Sequence, residues 1–151
     1  MNSWKSTCEG LVLGMGKVVF EDFTIQVQNA IDNRINAALE ECAGELESQV
    51  KRNQDRYNDT GQTKNSWQHI VDEENHIATI GNPLENSIWE ELGTGEFALN
   101  GNGRKGGWSY KDKKGKWHKT FGKSPRRHFW KAYISLKSKI ISHIQNSLKG
   151  L

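Results

Sequence analysis

Apolar residues recur at threes and fours from Asp22 to about Asn53: Val27, Ile31, Ile35, Ala38, Leu39, Cys42, Leu46 and Val50. That is the period of one helix face, and it predicts a single long helix. Asp22 or Thr24 can cap its start, no proline interrupts it, and Gly44 offers a place to bend. A continuous helix of this length measures ~45 Å. Asn, Gln, Glu and Arg fill its remaining faces, so it is expected to meet solvent or a partner rather than to be buried all round. A coiled coil ranks lower, because the stripe is polar and short.

The period then changes. Asp55 to Lys64 gathers turn formers that end the helix. Residues 66–71 and 76–80 read as two strands joined at residues 72–75, with Trp67, Ile70, Ile77 and Ile80 expected in the core. Asn82-Pro83-Leu84-Glu85 is a helix start, with Asn82 as cap, Pro83 at the first helical position and Glu85 reaching back to the cap. Leu84, Ile88 and Leu92 line one face of this short helix, and Gly93 stops it. Residues 95–107 read as a long, flexible, basic loop with its tip at Arg104 and Lys105. Residues 108–111 and 116–120 flank Asp112-Lys113-Lys114-Gly115 as a second hairpin. Ser124-Pro125 is expected to cap a last helix with the stripe Phe129, Tyr133, Leu136, Ile140, Ile144 and Leu148, ended by Gly150. The plan is α+β: a four-stranded antiparallel sheet made of two hairpins, packed by a long N-terminal helix and a C-terminal helix. Residues 1–21 form an N-terminal arm, and residues 22–151 one domain.

Composition adds a reason to look outward. Mean hydropathy is −0.79, so the apolar side chains must be concentrated on a few faces, which favours an oligomer, or a thin fold completed by neighbours, over a large self-sufficient core. No run approaches the ~18 apolar residues of a membrane-spanning helix. The stretch 11–20 resembles a leader only superficially, being broken by Gly14, Gly16 and Lys17 with no small-residue cleavage site after it. An intracellular protein is expected. Cys8 and Cys42 lack any paired spacing, so neither a disulfide framework nor a zinc site is expected, and Cys42 falls on the apolar stripe as a small core residue.

Charge is unevenly distributed. Residues 1–97 carry 7 Lys/Arg against 17 Asp/Glu, whereas residues 98–151 carry 14 Lys/Arg against Asp112 alone. Such a split suits an anionic partner for the C-terminal half, or copies that meet acidic face to basic face. A merely polarised, solvated surface is the plainer alternative.

The candidate chemistry is thin. Gly101, Gly103 and Gly106 spell GxGxxG, but no strand feeds it and no helix follows, so it is not expected to cradle a pyrophosphate. Glu90 and Glu91 invite a general acid/base reading, yet adjacent helix residues point about 100° apart. Carboxylates that are solvated, or that meet a basic neighbour, are expected there instead. His69 and His76 have no third ligand and read as strand-surface histidines. A nuclease built on His118 or His128 would need carboxylates to hold a metal, and the basic half offers only Asp112. No enzyme and no cofactor or metal is expected. Basic residues interleaved with Trp108, Tyr110 and Trp117 could track a nucleic-acid backbone and stack on bases, although aromatics in the core with lysines outside would give the same alternation. The basic last helix could lie on a membrane, but covering the sheet is the commoner use of such a stripe.

Several short motifs carry a resemblance. Thr60-Gly61 with Asn65-Ser66 precedes the first strand, and Ile80-Gly81 closes the second. Trp89-Glu90-Glu91-Leu92-Gly93-Thr94-Gly95 follows, then the Trp108–Tyr110 hairpin, Pro125, and Phe129 opening the terminal helix. Together they resemble the neck and tail-completion proteins of long-tailed bacteriophages, the small head-tail joining or tail-component family. The resemblance covers residues 60–151, and Glu-x-Gly-Thr-Gly at Glu91, Gly93, Thr94 and Gly95 is its specific part. Leu92 stands where such proteins often have an aromatic residue, and Phe129-Trp130 replaces a more usual Phe-Leu.

The family implies a non-enzymatic virion protein, assembled in the host cytoplasm. It would form a homo-oligomeric ring, six copies favoured over twelve, between the head-side connector and the tail tube or tail terminator, around the DNA channel and away from any membrane. Arg104, Lys105, Lys113, Lys114 and Lys116 are the residues expected on the assembly surface, touching a neighbour's carboxylates or the phage DNA. A DNA-binding module using the basic hairpin and last helix is the alternative.

Overall fold

Thr24–Gln54 forms α1, a 31-residue helix that runs through Gly44 without interruption. In the computed structural model, which describes residues 21–57 and 61–149, Asp22 fixes its start. One carboxylate oxygen of Asp22 accepts the Thr24 N–H at 2.9 Å and the Thr24 hydroxyl at 2.6 Å, and these bonds hold the Asp22 carboxyl below its usual range. Lys51 and Arg52 in the last turn complement the negative end of the helix dipole. The expected N-terminal arm up to residue 20, Cys8, Thr60 and Gly150 lie outside the described residues.

After a 3-10 turn at Asp55–Tyr57 and a single-turn helix α2 (Gln62–Asn65), β1 (Gln68–Asp72) and β2 (Ile77–Gly81) form an antiparallel hairpin. Its register pairs His69 with Ile80 and Ile70 with Thr79. α3 (Glu85–Leu92) follows, then the 3-10 turn Gly95–Phe97, the hairpin of β3 (Trp108–Lys111) and β4 (Trp117–Thr120), and α4 (His128–Ser147).

α4 lies antiparallel on α1. Asn53 donates to the His128 carbonyl at one end, Lys139 pairs with Glu45 in the middle, and His143 pairs with Glu41 further along. The core sits where these helices meet the first hairpin. Leu46, Val50, Trp67 and Ala132 are buried, with Ile80, Phe129, Tyr133 and Leu136 packed around them. Trp67 stacks on Phe129 at 5.8 Å between centroids, and its indole N–H donates to the buried Gln54 side chain. Cys42 is buried on the same stripe, and burial pushes its thiol pKa up. The core uses only the later part of α1: every residue from Thr24 to Ala30 is exposed.

Three sequence expectations are corrected. The strands do not form one four-stranded sheet; they form two separate two-stranded sheets. The backbone that follows β4 explains why: the Phe121 and Lys123 carbonyls accept from the Glu96 and Thr94 N–H groups, which ties the second hairpin to the end of α3 rather than to the first hairpin. Second, Ile70 and Ile77 are not core residues, being 66% and 55% exposed. His69, Val71, Ala78 and Ile80 face inward instead: Ile80 packs against the core, and α1 presents Glu40 and Glu47 to the His69 ring. Third, the helix starts are displaced. Asn82 does bond the Leu84 N–H, but α3 begins at Glu85 with Pro83 outside it, and α4 begins at His128, three residues after Pro125.

Candidate functional site

The Glu-x-Gly-Thr-Gly residues converge on the segment that joins β4 to α4. Gly93 ends α3 at φ +77°, and a side chain there would meet the Lys123 carbonyl and the Pro125 ring at under 3 Å. Thr94 forms a two-way bridge: its N–H donates to the Lys123 carbonyl at 2.8 Å, and its hydroxyl accepts the Lys123 N–H at 2.9 Å. Gly95, at φ +61°, lies so close to Phe121 that a Cβ would collide with the Phe121 carbonyl. Glu91 completes the motif from a distance in sequence. Its two carboxylate oxygens accept the Phe129 and Trp130 N–H groups at 3.0 and 2.9 Å, satisfying donors that the first turn of α4 leaves open.

Glu90 occupies the other side of this clasp. Its carboxylate bonds Lys123 Nζ at 2.9 Å, lies 3.5 Å from the Arg126 guanidinium, and is 3.9 Å from His128 Nε2, while its carbonyl accepts the Arg126 N–H. The two adjacent glutamates therefore meet basic and backbone donors, one of the two roles expected of them. His128 is buried, and burial holds its imidazole pKa below the ordinary value.

The clasp fixes the base of the second hairpin, which makes little packing contact with either long helix. Asp112, the one acid of the basic half, organises the turn. One oxygen accepts the Lys114 and Lys116 N–H groups, the other bonds His118 Nε2 at 2.8 Å, and the His118 contact is the main cause of its lowered pKa. His118 stacks on Tyr110, which is directly opposite it in the register. The hairpin aromatics do not form a core: Tyr110 is 48% exposed and Trp117 67%.

The five expected assembly residues fall into two groups. Arg104 lies over the Trp108 ring at 5.8 Å, at the base of the hairpin, with Lys105 exposed beside it in the chain. Lys113, Lys114 and Lys116 are exposed at the tip. The arms separate the groups by ~13 Å. Among the described residues none of the five has an ion-pair partner, whereas Lys123, Arg126 and Lys139 all pair with carboxylates of the first 97 residues. The charge split is thus partly neutralised inside the molecule and survives on the hairpin. The 95–107 loop is held at its edges, where the Leu99 N–H donates to the Leu92 carbonyl and the Gly106 N–H to the Glu96 carboxylate. It adopts no strand–loop–helix geometry at Gly101, Gly103 and Gly106.

Sequence reasoning did not single out Lys111 and Lys119. The register places Lys111 opposite Trp117 and Lys119 opposite Ser109, so all four share the most exposed face of the hairpin. Period-2 alternation was the available signal.

The two histidines of the first hairpin have separate partners on α1. Nδ1 of His69 meets Glu47 and its Nε2 meets Glu40, whereas His76 reaches Asp32 and Asn36. Among the described residues no group of three or more His, Cys, Asp or Glu side chains could hold a metal ion, and no helix is long and apolar enough to cross a membrane. Compared with protein-family models, curated proteins and solved structures, the chain has no match.

Proposed function

We propose that this chain is a structural protein of the head-tail connector of a long-tailed bacteriophage. It acts as a neck or tail-completion subunit, forming a ring of six copies around the DNA channel between the head-side connector and the tail tube. It works by assembly, without catalysis. The observation that carries the reading is the second hairpin: a basic, aromatic element clasped to the body by the family-signature residues, with lysines that find no carboxylate among the described residues. A ring repeats one contact between two different patches of each copy, and a chain with a basic projection and an acidic helical half supplies both. The exposed start of α1, with Phe23, Ile25 and Val27 all more than half exposed, gives further apolar surface for neighbours to cover.

Electron microscopy of the purified protein tests this. Closed rings with an axial channel are expected; compact particles without a channel at every concentration would overturn the reading.

Exposed Tyr110 and Trp117 among lysines favour one second reading, a DNA-binding module. That reading requires the monomer to bind duplex DNA with an affinity that falls steeply with salt, since each phosphate contact releases counterions.

A further inference from the structure

Two hairpin faces on this molecule are exposed and unlike in charge. On the second hairpin the outward face carries Trp117, 67% exposed, with Lys111 opposite it and Lys119 two residues along. On the first hairpin the outward face carries Ile70 and Ile77, 66% and 55% exposed. Its turn carries Glu73 and Glu74, which are exposed and have no ion-pair partner among the described residues. Each face is an apolar centre with charges of one sign, and the signs are opposite. An exposed apolar face on a two-stranded sheet has no second layer of its own to cover it.

We propose that the partner of each face is the other face on a second copy of this chain: the Trp117 face of one copy docks on the Ile70–Ile77 face of the next. This rests on the assembly reading above and deepens it by naming the two patches. The contact is heterologous, joining two different surfaces of one molecule, so it propagates from copy to copy and closes into a ring when the rotation allows. Trp117 would be desolvated against the two isoleucines, and Lys111 and Lys119 would meet Glu73 and Glu74 at the rim, where charges fix register more than they add affinity. Asp72 keeps its role in the turn, where it accepts the Glu74 and Asn75 N–H groups.

Reciprocal charge reversal tests the pairing. One variant carries Lys111→Glu and Lys119→Glu, the other Glu73→Lys and Glu74→Lys. Alone, each juxtaposes like charges, and self-association at low salt is expected to weaken on the order of 100-fold. Mixed in equal amounts they pair in alternation, and the wild-type mass by light scattering is expected to return. Recovery on mixing also shows that both variants fold. If a reversed variant does not fold, the neutral pair K111Q/K119Q and E73Q/E74Q replaces it, with weaker association that responds less to salt as the expected result.

If the wild type assembles and the variants assemble equally well alone, or mixing restores nothing, the pairing is overturned while the ring reading stands. Loss of duplex DNA binding by the lysine variant with its mass unchanged overturns the pairing in favour of nucleic acid. A wild-type chain that is monomeric throughout overturns the ring reading, and this pairing with it.

Discussion

Glu91 caps a helix from 38 residues away: one of its carboxylate oxygens accepts the N–H of Phe129 at 3.0 Å, in the first turn of α4. The other takes the Trp130 N–H. α4 has no cap of its own, since Arg127 precedes it at φ +55° and makes no side-chain capping bond. One charged residue thus fixes where α4 starts and how α3 is held against it. Glu91→Ala is expected to cost ~1–2 kcal/mol, the range for losing a strong helix cap. Urea denaturation measures it, and Glu91→Gln, which keeps one acceptor, is expected to lose less.

The clasp also depends on backbone approach. At Gly95 a methyl group would collide with the Phe121 carbonyl, and the residue sits at φ +61°. Gly95→Ala is expected to destabilise by more than the ~1–2 kcal/mol of a left-handed residue alone. Gly81 is the control, because a Cβ there has nothing within 4 Å and needs no left-handed backbone. Gly81→Ala is expected to be neutral or to stabilise by up to ~1 kcal/mol.

Two histidines drive the pH dependence in opposite directions. Glu47 raises the His69 pKa, chiefly through its hydrogen bond, so the pair's contribution is fully present below the unfolded value of ~6.5 and is lost as pH rises through the folded value. Burial lowers the His128 pKa, so its neutral form favours the fold, and that contribution is lost as pH falls from ~6.5 toward the lowered value. His69→Gln is therefore expected to cost more stability at pH 6 than at pH 8.5. Denaturation at both pH values checks this, and an equal or reversed difference would contradict the Glu47–His69 link.

Among the described residues the core is small, and Trp67 is the largest side chain buried in it. It is buried, stacked on Phe129 and bonded to Gln54. Trp67→Ala is expected to cost ~3–5 kcal/mol by thermal or chemical denaturation.

Much of the fold was legible in the sequence because it is set by local periodicity. The stripe from Val27 to Val50 is one helix, both hairpins lie where the alternation and turn residues put them, and Phe129 to Ile144 lie on one helix. What was not legible depends on distant partners. Alternation could not choose the buried face of the first hairpin, because Ile70 and Ile77 lie on one face and Val71, Ala78 and Ile80 on the other. The choice went with partners on α1, which supplies Leu46 and Val50 to the core that Ile80 packs against and the carboxylates that meet His69. Likewise Ser124-Pro125 has the local look of a helix start, but the donors of α4 are satisfied by Glu91. The basic residues were legible as a group, and so was their division between the loop and the hairpin turn; that Lys111 shares a face with Trp117 and Lys119 required the register.

At the tip, Lys113 and Lys114 are exposed and have no carboxylate partner among the described residues. Reversing both to glutamate is expected to leave stability within ~0.5 kcal/mol, as for surface changes, while abolishing assembly in vitro and infectivity in a phage that carries the change. Unchanged assembly and infectivity would remove the tip from the contact surface.

The proposal that this chain works by assembling through its charge split is tested most directly by its mass in solution, measured by light scattering at low and at high salt. The expected result is a species of about six times the 17.2 kDa chain at low salt that dissociates as salt is raised. A 17.2 kDa particle at both salt concentrations would contradict it.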